Sequence, residues 1–92
     1  DNVHAYVTCV SGDDMKPRLL RGYKAVIDPT STPEAEALVL VEFKHEKGVR
    51  YFREFIASDS HKVSLKTYNP EVTNEYKHED ILIIHKVFGL RL

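Results

Sequence analysis

No stretch of this chain sustains a helical hydrophobic period; breaker residues cut it into short runs instead. Gly12, Gly22, Asp28-Pro29, Pro33, Gly48, Ser58-Asp59-Ser60 and Asn69-Pro70 are the punctuation. Between them lie runs with the two-residue alternation or continuous apolar character of strands: Val3–Val10, Lys24–Ile27, Leu38–Phe43, Val49–Ile56, Lys62–Thr67 and Asp80–Leu92. Glu46-Lys47-Gly48 reads as a hairpin turn. A bulge or bend is expected at Gly89. The pattern predicts a mostly β domain of short, largely antiparallel strands. Glu34-Ala35-Glu36-Ala37 is a turn with helical leanings.

With 92 residues, the chain is one domain, residues 1–92, burying roughly 60–65% of its unfolded surface around one modest core. It begins on Asp1-Asn2 without methionine and reads as a piece of something longer. A net charge of −1 and a pI near 6.6 leave no electrostatic footprint for nucleic acid, so this piece is not expected to contact DNA itself. Cys9 is the only cysteine. That excludes an intrachain disulfide, and its place in an apolar strand predicts a small buried hydrophobe. Neither an 18-residue apolar run nor a signal-peptide pattern is present, so a cytoplasmic protein with no membrane contact is expected.

The densest stretch is Val10-Ser11-Gly12-Asp13-Asp14-Met15-Lys16-Pro17. Val3–Val10 is fairly apolar on both faces and is expected to be covered on both. It runs into Gly12, suited to a positive φ, and then into two carboxylates. Pro17 favours an extended Lys16. Met15–Arg21 is predicted to make one helical turn ended by Gly22. The chain leaves its strand abruptly and presents residues 13 and 14 at the corner.

This octapeptide resembles the Val-x-Gly-x-Ser-Met-x-Pro segment around the nucleophile of the LexA-like peptidases, a family of SOS repressors, temperate-phage repressors and UmuD-type proteins. Arg21-Gly22, Ala25–Pro29, Leu38–Phe43, Tyr51–Phe55, Tyr68-Asn69-Pro70 and the closing apolar strand follow in the family's order and spacing. The resemblance covers nearly the whole chain and implies a LexA/signal-peptidase-like β-domain.

Two departures bear on function. The resemblance puts the family's nucleophilic serine at Asp14 and its general-base lysine at Arg53. A carboxylate has no hydroxyl to activate, and a guanidinium with a pKa above about 12 cannot accept the proton. The implied function is a catalytically inactive, non-self-cleaving dimerisation or oligomerisation domain of a phage or prophage repressor. Operator DNA would be read by an N-terminal domain absent from this chain, and an antirepressor protein would release the repressor. The alternatives are a self-cleaving serine peptidase with atypical catalytic residues and a UmuD-type polymerase accessory subunit.

Alternation places Val49, Tyr51, Arg53 and Phe55 on one face, and Arg50, Phe52, Glu54 and Ile56 on the other. Arg53 among aromatics is an odd setting for a solvated cation, so a charge-assisted, bidentate Asp14–Arg53 pair is expected. Asp13 and Asp14 should diverge, acting as a turn or cap rather than as paired acid and base. Ser11 lies three residues before the nucleophile position. His4, His45, His61, His78 and His85 have no zinc-motif spacing, and neither metal nor cofactor is expected. Lys62, Lys66, Lys77 and Lys86 are interspersed with acids and read as solvated faces.

Asp80–Leu92 carries more apolar side chains than one strand face buries. By resemblance, the closing strand lies at a homodimer interface, with Val87, Phe88, Leu90 and Leu92 as contacts.

Overall fold

The computed structural model describes residues 4–91. Seven strands form one sheet: β1 (Tyr6–Cys9), β2 (Lys24–Asp28), β3 (Leu38–Phe43), β4 (Arg50–Ser58), β5 (Lys62–Tyr68), β6 (Glu71–Lys77) and β7 (Ile81–Arg91). Their order across the sheet is β1-β2-β7-β3-β4-β5-β6, and every neighbouring pair is antiparallel. The mostly β class read from the breaker pattern is the one found.

All six residues of β3 are buried, in keeping with a strand that is apolar at every position but Glu42 and lies between two others. Alternation sends its residues into two cores. Leu38 and Leu40 join Val10, Met15, Leu19, Ala25, Ile27, Phe52 and Val87. Val39, Val41 and Phe43 join Val63 and Leu65.

β1 differs from expectation. It starts at Tyr6; Val3 lies outside the described residues. Only one of its faces is covered: Val7 and Cys9 are exposed, while Tyr6 turns inward. Cys9 is therefore not the buried hydrophobe expected, because β1 is the last strand of the sheet and nothing described packs on its outer face.

Residues 15–21 form turns rather than a helix, with one helix-like bond from the Leu19 N–H to the Met15 carbonyl at 2.9 Å. The Lys16–Pro17 peptide is cis. The positive φ expected at Gly12 falls instead at Gly22 (90°), whose N–H donates to the Val10 carbonyl and closes the loop onto the end of β1. A Cβ at Gly12 would meet Asp14 Oδ1 at 3.0 Å, so the carboxylate would have to give way by a few tenths of an ångström.

The Glu34–Ala37 segment is a turn without helical character, and Glu36 takes a φ of 72°. Its N–H is held by the Phe55 carbonyl, which keeps the chain beside β4.

β6 has no counterpart in the sequence reading. It is an outermost strand with every residue but Tyr76 exposed, so no apolar alternation marks it. Tyr76 packs on Phe43, ring centroids 4.9 Å apart.

β7 lies in the interior of the sheet, yet each neighbour uses half of it: β3 pairs with Ile81–Lys86 and β2 with Lys86–Arg91. The bulge expected at Gly89 falls one residue earlier, with Val87 opposite Ile27, Gly89 opposite Val26 and Phe88 left over.

Candidate functional site

The loop after β1 carries Asp14, and its backbone is anchored by the turn between β5 and β6. The Asp14 carbonyl accepts the Tyr68 and Asn69 N–H groups, each at 2.9 Å, and Asn69 Nδ2 donates to the Asp13 carbonyl at 3.2 Å. Met15, fully buried just beyond, pins the other side.

Asp13 and Asp14 diverge, as adjacent residues on a tight loop should. The Asp13 carboxylate is gripped by Arg21, Nε to Oδ1 at 2.9 Å and Nη2 to Oδ2 at 3.0 Å, with Lys16 Nζ at 3.3 Å. The Arg21 hydrogen bonds, with help from Lys16, hold its pKa below the usual carboxylate value.

Asp14 turns the other way and meets Arg53 of β4. Arg53 Nη1 donates to Asp14 Oδ2 at 2.6 Å and to the Phe52 carbonyl at 2.7 Å. The contact runs through that one nitrogen rather than the bidentate fork expected. The guanidinium lies 4.8 Å from the centroid of the Tyr51 ring, and its side chain is 13% exposed against 39% for Asp14. Tyr51 is fixed by donating to Glu46 Oε2 at 2.8 Å, and that bond, with burial, raises the phenol pKa.

A groove of about 430 Å³ runs beside the pair. One wall is Thr8–Met15, with Ser11 on it; the other is Val49–Phe52, with Leu40 at its base. In chemical terms, the pair offers a fixed carboxylate and a fixed cation. The pair itself holds no hydroxyl, and its guanidinium cannot serve as a base.

Two buried carboxylates escaped the sequence reading. Glu54 is 6% exposed; it accepts Arg18 Nη1 at 2.7 Å and the hydroxyl of Tyr68. Arg18 also donates from Nη2 to the Glu36 carbonyl at 2.9 Å, tying the turns of residues 15–21 and 34–37 to β4. Glu42 of β3 accepts Arg50 Nε at 2.9 Å and the Gly48 N–H at 2.9 Å. Arg50, on the face opposite Arg53, is thus engaged with a buried partner. For Glu42, a charge in an otherwise apolar strand was the signal available.

The residues read as interface contacts separate. Val87 belongs to its own domain's core, while Phe88 and Leu90 are 55% and 44% exposed. Leu92 lies outside the described residues. Among the described residues, no three His, Cys, Asp or Glu side chains are grouped as a metal site would require, and no helix is long and apolar enough to cross a membrane.

Residues 1–88 match the Peptidase S24-like family model. The chain belongs to the Peptidase S24-like family. The LexA-like resemblance of the octapeptide and of the strands after it thus extends over the S24-like domain as a whole. The domain is also similar to "Repressor protein C" of Rhizobium phage 16-3, 24% identical over 90 residues, which covers 91% of this chain. It spans 34% of that relative's length. No solved structure matches.

Proposed function

We propose that this S24-like domain is the self-association module of a phage or prophage transcriptional repressor, and that it does not cleave itself. The observation that carries the second part is the 2.6 Å contact between Arg53 and Asp14. On this reading, which rests on the resemblance of the octapeptide and of Tyr51–Phe55 to the family, these residues take the places of the nucleophile and the base. An ion pair there supplies neither function.

Self-association is supported by β7. Beyond Lys86 its β3-facing edge has no ladder partner among the described residues, and Phe88 and Leu90 are exposed along it. A second copy laid across this edge makes an isologous contact in which each substitution acts twice. Two copies would bring two operator-binding parts, supplied from outside this chain, to a palindromic site. Release then falls to a bound antirepressor rather than to cleavage.

Sedimentation equilibrium tests the association: a dimer or higher oligomer is expected, and Phe88→Asp should give a folded monomer. A wild-type chain that stays monomeric at high micromolar concentration removes this reading. Incubation of the full-length protein at alkaline pH tests the silence; two discrete fragments on a gel would identify a peptidase with atypical residues instead.

A further inference from the structure

One face of the sheet carries a polar relay across four strands. Gly48 N–H and Arg50 Nε of the β3–β4 hairpin hold the Glu42 carboxylate. Arg50 Nη1 donates to Tyr6 Oη at 3.2 Å, and Tyr6 Oη lies 2.9 Å from His85 Nδ1 of β7. The Tyr6 and His85 rings meet edge to face, centroids 5.9 Å apart.

The donors constrain the proton positions. A guanidinium has only N–H groups, so Tyr6 Oη accepts from Arg50, which leaves its single proton for His85 Nδ1. Burial raises the pKa of that phenol and keeps it protonated. In that arrangement His85 Nδ1 is a bare lone pair, with the imidazole neutral and its hydrogen on Nε2.

We propose that this relay is a proton-sensitive latch on β1: neutral His85 holds the strand to the sheet through Tyr6, and protonation of Nδ1 releases it. Once Nδ1 carries a proton, Tyr6 Oη faces two donors and its own O–H loses its acceptor. β1 is vulnerable to that loss. It is four residues long and terminal in the sheet, its ladder runs to β2 alone, and among the described residues Tyr6 makes its side-chain hydrogen bonds.

The charges around His85 favour the neutral form. From β4 the Arg50 cation opposes a second positive charge, though Glu42 of β3 partly offsets it, and from β2 Asp28 attracts the imidazolium. Its ladder partner on β3 is the uncharged Leu40, and Lys86, next along β7, pairs with Glu34. Burial comes first and Arg50 second, so together they depress the His85 pKa. The sign follows: the latch contributes in full above the ordinary histidine value of about 6.5 and is lost as pH falls through the depressed value. Opening β1 removes Thr8 and Cys9 from one wall of the groove and leaves Arg50 of the other wall held by Glu42 alone.

Imidazole NMR between pH 7.5 and 4.5, with each histidine followed separately, tests this alongside amide hydrogen exchange corrected for intrinsic rates. The His85 midpoint should lie below the ordinary histidine value. Each pH unit of that depression should appear as about tenfold faster exchange of the β1 amides at acid pH. Exchange at Val39–Val41 should stay level over the same range.

Tyr6→Phe should raise the His85 midpoint and flatten the pH response of β1. His85→Asn, whose Oδ1 stands at the place of Nδ1 and accepts the hydrogen bond at every pH, should hold β1 closed throughout. An ordinary or raised His85 midpoint, a β1 response that is flat in the wild type, or a midpoint unmoved by Tyr6→Phe would each overturn the latch.

Discussion

Arg53 and Asp14, 39 residues apart in sequence, meet at 2.6 Å, with the cation almost buried and the anion near the surface. The Arg53 charge is desolvated on one side by Tyr51 and balanced on the other by Asp14. Truncating Asp14 or Arg53 therefore costs more than breaking a surface pair and less than breaking a fully buried one.

For Arg53→Ala the expected loss is about 2 kcal/mol, between the limits of about 1 for exposed pairs and 3–5 for buried ones. That corresponds to a fall in Tm of roughly 8–16 °C for a domain of this size. Lys62→Ala, which removes an exposed partner of Glu75 at 3.8 Å, should stay within about 0.5 kcal/mol. Thermal unfolding followed by circular dichroism decides. Arg50→Ala is no neutral reference, because Arg50 holds the buried Glu42.

The Arg18–Glu54–Tyr68 group should behave as a unit. Glu54→Ala removes the acceptor of both partners and is expected to cost about 3 kcal/mol, Tyr68→Phe about 1. In a double-mutant cycle, Arg18→Ala should add little once Glu54 is gone. Strictly additive losses would mean that Arg18 and Glu54 act independently.

Acid should destabilise the fold partly through Glu42. The Gly48 amide first, and Arg50 second, hold its carboxyl below the ordinary value. A depressed carboxylate contributes stability that is complete above its unfolded pKa, about 4.3, and is lost as pH falls through the folded value. Urea midpoints measured from pH 6 to pH 3 should therefore drop more steeply for wild type than for Glu42→Gln. Parallel curves would remove Glu42 from the acid response.

Glu36 sits at φ 72°, where a side chain is disfavoured by about 1–2 kcal/mol and glycine is not. Its structural bonds, to Phe55 and Arg18, are made by its backbone and survive substitution. Against the extra chain entropy of glycine, Glu36→Gly should still gain about 0.5 kcal/mol, a rise of a few degrees in Tm. Ala35→Gly, at a residue without positive φ, should lower Tm.

What residues 14 and 53 lack is written in the side chains themselves: a carboxylate has no hydroxyl and a guanidinium keeps its proton in any fold. Every strand run but β6 was equally legible, because alternation and breaker residues act over a few neighbours. β3 could be read as a strand buried on both faces, since Leu38–Phe43 has scarcely a polar position to expose. Only the ladder order decided the rest. It put β7 between β2 and β3, and it made β1 terminal, which exposed Cys9. It left β6 outermost, with a composition shaped by solvent rather than by a core. It also brought Arg18 to Glu54, 36 positions away, and Tyr6 to His85, 79 positions away. No local pattern records such pairings: each is set by which strands become neighbours, and a buried charge or hydroxyl is tolerable only where that arrangement delivers its partner.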